Sequence, residues 1–314
     1  MAAASRAQMY YGGQAVVEGV MIRGPREMAI AVRAPDGRIV TRSERLASIY
    51  TGVLRRIPLV RGIIVLYETL ALGLRALTWS SQVSTGHDEQ EPSKTQMYVT
   101  IAVMLVFVGA IFFAGPVLLT NWLGGVTGNY YVAVIAECLL RLAMLIGYIW
   151  LIGLMPEIRR VFAYHAAEHR AIHAFEHGPE LTPAAAWDYP NAHPRCGTAF
   201  LLSVAVISLV VFVALGAPPI WIRLIERVAL IPVVAALAYE ALRLGQRFES
   251  NRVVSALYAP NLWLQKLTTR DPDESQLEVA IAAVNAALAV RADENASGAG
   301  EPTRPQLATD EPLA

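Results

Sequence analysis

Six histidines occur in this 314-residue chain, and four of them, His165, His169, His173 and His177, fall at successive four-residue intervals. Four residues carry a helix about 40° beyond one full turn, so a helix here would line all four imidazoles along one broad stripe. Glu176 would lie among them and Glu168 at the edge. The segment is compatible with a helix from Glu157 to Phe175, and His177-Gly178-Pro179 would end it. Two neutral imidazoles one turn apart can chelate a divalent cation. His165-Ala166-Ala167-Glu168-His169 has the His-x-x-Glu-His order of inverted zincins, in which two histidines hold zinc and the glutamate polarises the attacking water.

A second group follows in the same loop, at His193-Pro194-Arg195-Cys196-Gly197-Thr198. His193 and Cys196 offer one borderline and one soft ligand three residues apart. The spacing therefore supports a site built from His165, His169, His193 and Cys196, with Glu168 as base or as a carboxylate behind the ligands, and Zn²⁺ as the simplest metal. Glu240, near the end of a later apolar segment, is a further candidate carboxylate ligand, and His173 and His177 read as bystanders. Two blander readings remain: a hydrogen-bonded histidine face at a membrane surface, and a pH-responsive relay.

The elements that must position these groups are mostly apolar. Four stretches approach the roughly 20 residues that span a bilayer: Tyr98 to Thr120, Tyr130 to Met155, Ala199 to Trp221 and Leu224 to Leu244. Hydrophobic residues make up 55% of the chain and charged residues 17%, against roughly 25% charged in an ordinary soluble domain. The expected fold class is therefore mainly α: a polytopic helical membrane protein with four transmembrane helices, an interfacial amphipathic helix and a small cytosolic N-terminal β unit.

Charge sets the expected orientation. Through Val83 there are eleven Lys/Arg against five Asp/Glu, and from Asp271 onward nine acids against two arginines. The loop Asn121 to Asn129 has no charge, whereas Pro156 to Thr198 holds four arginines. The positive-inside rule then places both termini and the histidine-rich loop in the cytoplasm of a cell whose inner membrane the chain crosses repeatedly. The basic front and acidic tail concealed in the zero net charge argue against nucleic-acid binding, and two cysteines exclude a disulfide framework.

Within that frame residues 1–50 read as the β unit, whose apolar positions alternate over Val16 to Ile39. The alternation would place Gln14, Val16, Glu18 and Val20 on one side of a short strand. Residues 51–97 read as an amphipathic helix and linker, with Arg61, Glu68 and Arg75 recurring every seven residues over Ile57 to Trp79; a fifth span is the alternative for that segment. Residues 98–155 and 199–245 carry the spans and 156–198 the histidine-rich loop. The region 246–290 holds C-terminal helices, the last of them capped by Asp271-Pro272-Asp273-Glu274, and 291–314 has the composition of a disordered acidic tail. Glu137 and Arg141, one turn apart inside the second span, are expected to neutralise each other, while Glu226 and Arg227 read as interfacial.

Four separated motifs also carry a family likeness. Gly12-Gly13-Gln14-Ala15-Val16-Val17-Glu18-Gly19-Val20-Met21-Ile22-Arg23-Gly24-Pro25, Tyr164-His165-Ala166-Ala167-Glu168-His169, His193-Pro194-Arg195-Cys196-Gly197-Thr198 and Leu267-Thr268-Thr269-Arg270-Asp271-Pro272-Asp273 together resemble the YqhQ-like family. Its members are bacterial membrane proteins of unknown function labelled as predicted metal-dependent enzymes. The resemblance, over roughly Tyr11 to Val290, implies a metal at His165, Glu168, His169, His193 and Cys196. It adds Gln14, Glu18 and Arg23 as residues of the opening motif.

Two function classes follow. One is a hydrolase whose cytoplasm-facing divalent metal, most simply zinc, acts on an amphiphilic or membrane-delivered substrate, a protein included. The other is a non-enzymatic scaffold or accessory factor for protein insertion or assembly, recruiting partners through the β unit and the surface helix. In either case the lipid bilayer is a partner, and a homo-oligomer is compatible with so few spans.

Overall fold

The N-terminal β residues form four short antiparallel strands in chain order, β1 (Gly12–Val16), β2 (Gly19–Arg23), β3 (Glu27–Arg33) and β4 (Ile39–Arg45). The computed structural model describes residues 11–47, 50, 52–86, 93–216, 218–248 and 251–297. Val16 pairs with Gly19, so Val17 and Glu18 form a two-residue hairpin turn. Such turns need a positive φ, and Glu18 supplies it at 51°. The turn overturns the single-strand expectation: Gln14 and Val16 share one face with their neighbours across the hairpin, whereas Val20 belongs to the other.

The sheet is buried on both faces. Val20, Ile22, Ala29 and Ala31 pack against α5 (Pro156–His177) and α11 (Glu274–Ser297), while Val16, Met21, Met28, Ile30 and Val32 pack against Leu72 and Ala76 of α1 (Val60–Thr85). This corrects the alternation expected from sequence, because β2 and β3 bury residues on both faces. Three helices remote in sequence make the sheet a filled layer.

Charged and apolar residues on α1 are sorted by face. Arg61 pairs with Glu240, Glu68 with Arg23 and Arg55, and Arg75 with Glu44, all toward the protein. Ile63, Tyr67, Leu70, Leu74 and Leu77 are exposed. They repeat every three or four residues, which makes one outward apolar stripe.

Among the described residues two helices are long and apolar enough to cross a membrane. The first joins α2 (Lys94–Gly109), a π-helical segment (Ala110–Ala114) and α3 (Gly115–Thr127), and is apolar over Tyr98–Thr127; the second is α4 (Tyr130–Ile152). The other two expected spans differ. α7 (Thr198–Ala214) is apolar but has only 17 residues, and Gly216, Pro218 and Pro219 follow it. The fourth stretch is two helices, α8 (Ile220–Ala229) and α9 (Ile231–Arg247), separated at Leu230 by the proline that opens α9. A proline at the first turn has no N–H for the preceding helix to use.

After α9 come α10 (Arg252–Thr268) and α11. The cap of α11 is Asp273, not Asp271: its carboxylate accepts the Gln276 N–H at 2.9 Å, and the Gln276 side chain accepts the Asp273 N–H at 3.0 Å. That reciprocal pair is a capping box. The helix continues past Val290 to Ser297, and the rest of the expected acidic tail lies outside the described residues.

Candidate metal centre

Alanines decide how α5 is held. Ala167, Ala171 and Ala174 are fully buried with Tyr164 and Phe175 in the core shared with the sheet and α11, so the helix backbone lies close to both. Glu168 and His169 are buried with them, 4% and 1% exposed. The loop that follows α5, with its short helix α6 (Pro183–Trp187), folds back along α5. Arg170 fastens it, donating to the Trp187 carbonyl at 2.9 Å and to Asn191 Oδ1 at 2.7 Å.

That return brings Cys196 to the histidines. His165 Nε2 lies 3.1 Å from Cys196 Sγ, and one ligand atom each from His165, His169 and Cys196 falls within 4.8 Å of the others. Cys196 precedes the first turn of α7, where the Thr198 N–H donates to its sulfur at 3.4 Å. The positive helix end favours negative charge there.

Main-chain carbonyls orient both rings. His165 Nδ1 is 2.9 Å from the Thr268 carbonyl and His169 Nδ1 is 2.6 Å from the Asn191 carbonyl. A carbonyl only accepts, so each ring donates from Nδ1, and in the neutral ring this leaves the Nε2 lone pair for a metal. This is the arrangement in which metal-binding histidines are normally held. His169 Nε2 is buried with no hydrogen-bond partner, and a buried acceptor left unpaired costs about 1–3 kcal/mol. Tetrahedral zinc would hold nitrogen at ~2.0–2.1 Å and sulfur at ~2.3 Å, which separates the two ligand atoms by about 3.5 Å. The His165–Cys196 spacing is close to that, so the residues fit such an ion.

Glu168 borders the three, with Oε2 3.5 Å from His169 Nε2. Burial pushes its carboxyl above the ordinary carboxylate range, against the opposing pull of His165, His193 and a hydrogen bond from the Gly13 main chain. Gly13 must be glycine at this approach. A Cβ there would stand 2.5 Å from the Met21 carbonyl oxygen and 2.8 Å from Glu168 Cγ.

His193 stands beside the three ligand candidates and has its own partners. Its Nδ1 accepts the Arg195 N–H at 3.2 Å, and Nε2 lies 3.6 Å from Glu176. Gln265 brackets its main chain on both sides. Burial lowers the His193 imidazole below its usual range, with Glu176 opposing. Glu176 is itself pushed up by burial, but His193 and Arg195 outweigh that and hold it below the usual carboxylate range. His173 braces the loop through Ala192 and stacks on Tyr189, and His177 meets the His173 carbonyl and ring.

The remaining expected residues lie elsewhere. Glu18 does reach the histidine helix, but its partners are Arg160 and, at 3.3 Å, the Tyr164 hydroxyl. Gln14 lies against Gly73 of α1, on the other sheet face. Arg23 pairs with Glu68 at 2.8 Å. Glu240, expected near His165, is bound by Arg61 and by the Leu59 N–H at 3.0 Å. Residue spacing did not point to Gly13, Asn191 or Thr268, because two of them act through main-chain carbonyls and the third by lacking a side chain.

Comparison with known proteins places the chain. Residues 57–290 match the family model described as a protein of unknown function, DUF1385. The chain belongs to the DUF1385 family. It is 34% identical over 296 residues to the uncharacterized protein YqhQ of Bacillus subtilis (strain 168), covering 90% of this chain and 93% of that one. No solved structure matches. The DUF1385 match contains α5, Cys196 and Thr268, whereas β1 and Gly13 precede it.

Proposed function

We propose that this DUF1385 protein is a metal-dependent hydrolase at a membrane surface, with His165, His169 and Cys196 holding one divalent ion, most simply Zn²⁺. The observation that carries the reading is the shared tautomer: two main-chain carbonyls take both Nδ1 protons, and one of the freed Nε2 atoms is buried without a partner. A bound zinc ion supplies Lewis-acid activation of a water. Glu168, buried beside the three ligands, would be the group to take a water proton at its carboxylate, and burial would strengthen it as a base. The Gly13 N–H holds the carboxylate in place. His193 and Glu176 orient the loop that carries Cys196.

The substrate class is amphiphilic, because the centre follows directly on α4 and the exposed surfaces of α2, α3 and α4 are apolar. In this reading α7 and α9 complete a four-helix membrane part in the bacterial inner membrane, with both termini and the metal centre cytoplasmic. A non-enzymatic scaffold is the second reading. It is favoured by the outward apolar stripe of α1, which could seat on lipid or on a partner helix.

Elemental analysis of the full chain, purified in neutral detergent without added chelator, tests the metal. The expected result is about one divalent ion per chain, lost in His169→Ala and in Cys196→Ser. Metal-free wild type that also takes up no added Zn²⁺, or equal metal in the variants, overturns the proposal. Glu168→Gln separates the two functions: it should keep the metal and lose hydrolysis of phospholipid or peptide test substrates.

A further inference from the structure

At the other end of α4 from the histidines, one carboxylate is surrounded by three arginines. Glu137 Oε1 lies 2.8 Å from Arg141 Nη2 and 2.7 Å from Arg227 Nε, and Oε2 lies 3.1 Å from Arg223 Nη2. Glu137 and Arg227 are 0% and 1% exposed, and Arg223 is 4% exposed. The Glu137–Arg141 pair expected from sequence is therefore part of a larger group, in which Arg227 is buried against the same carboxylate. α8 is built to deliver it: Trp221, Ile222, Ile225 and Val228 are exposed, while Arg223 and Arg227, one turn apart, face inward.

The group has more positive charge and more donors than it uses. Arg223 Nε and Arg227 Nη1 are buried with no hydrogen-bond partner. A second carboxylate, Glu226, is ion-paired with Arg227 Nη1 at 4.0 Å but makes no hydrogen bond there. Aromatic faces offset part of the surplus, with the Arg227 guanidinium 3.7 Å from the centre of the Phe212 ring. A structural ion pair needs one cation for one carboxylate. Three guanidinium groups with spare N–H donors suit an anion that offers several oxygen acceptors, and the guanidinium fork matches phosphate.

We propose that Arg141, Arg223 and Arg227 form a binding site for a phosphate group, separate from the metal centre. Glu137 lies about 10 Å along α4 from its Tyr130 end. In a spanning helix that is the depth at which arginines meet lipid headgroups. The exposed apolar side of α8 would lie along acyl chains, so an anionic lipid is the source the surroundings favour; free phosphate has the same chemistry.

The test uses the full chain in neutral detergent with two probes. Inorganic phosphate is assayed by thermal shift against chloride at matched ionic strength, and phosphatidylglycerol against phosphatidylcholine by native mass spectrometry. A lipid site predicts that phosphatidylglycerol is retained about tenfold over phosphatidylcholine, with the preference lost in Arg223→Gln and Arg227→Gln. A shift with phosphate alone, lost in the same variants, assigns the site to the free anion. Glu137→Gln removes the competing negative charge and should strengthen anion retention several-fold, an effect a purely structural ion-pair group would not give. If the glutamine variants do not elute as folded protein, Arg223→Lys keeps the charge without the fork, and its selectivity should fall several-fold. Folded wild type that distinguishes neither phosphate from chloride nor phosphatidylglycerol from phosphatidylcholine overturns the proposal.

Discussion

Gly13→Ala probes the contact between sheet and metal centre. The added methyl would stand 2.5 Å from the Met21 carbonyl oxygen, 2.8 Å from Glu168 Cγ and 3.0 Å from Glu168 Oε1, where ordinary contact begins at 3.4 Å. About 1 Å of movement is needed in a close-packed interior. β2 cannot supply it, because it is paired to β1 on one side and β3 on the other. Overpacking costs about 1–3 kcal/mol, and this site belongs at the upper end. For a chain of 314 residues that corresponds to a fall of roughly 3–5 °C in Tm, measured on the metal-free full chain by tryptophan fluorescence in detergent. Glu168→Ala removes two of the three clashes, so Gly13→Ala should cost about 1 kcal/mol less in that background. A Gly13→Ala Tm within 1 °C of wild type, or an equal cost in both backgrounds, would show that β1 does not pack on Glu168.

Other outcomes follow from the same geometry. Metal ligands must be deprotonated to bind, so zinc affinity should fall as pH is lowered; a flat titration by competition with a chromophoric chelator would contradict the ligand set. Glu168 has a raised folded pKa, so the folded apoprotein keeps a proton that the unfolded chain loses. Apo stability should therefore fall as pH rises through the window above the ordinary carboxylate value, and Glu168→Gln should flatten that slope. Glu176 runs the opposite way, being depressed by His193 and Arg195. Its contribution is present above the ordinary carboxylate pKa and is lost as pH falls through the lower folded value, a loss absent from Glu176→Gln in acid-unfolding curves. Arg61→Ala removes the ion pair from Glu240 but leaves the Leu59 N–H, and because that pair is partly exposed the cost should be about 1 kcal/mol. A null result in chemical unfolding would mean that the pair does not anchor α1 to α9.

Much of the centre was legible because helical periodicity is local. The four-residue spacing of His165, His169, His173 and His177 needs only a helix to become a stripe, and α5 covers the expected segment with one or two residues to spare. The apolar runs of α2 to α4 and the β residues of the first fifty positions are readable for the same reason. Tertiary structure decided the rest. The proton of each ligand-candidate ring is assigned by carbonyls of Asn191 and Thr268, up to 103 residues away, and a carbonyl is the same on every residue type. Glu168 is buried against a glycine on β1, whose close approach leaves no room for a side chain. Arg223 and Arg227, on a helix that reads as part of a span, point at Glu137 because α8 ends at Leu230 and exposes its apolar side instead. Residue types and spacing determined which chemistry was available here; long-range packing decided which atoms face one another, because burial and lone-pair direction are properties of the surroundings.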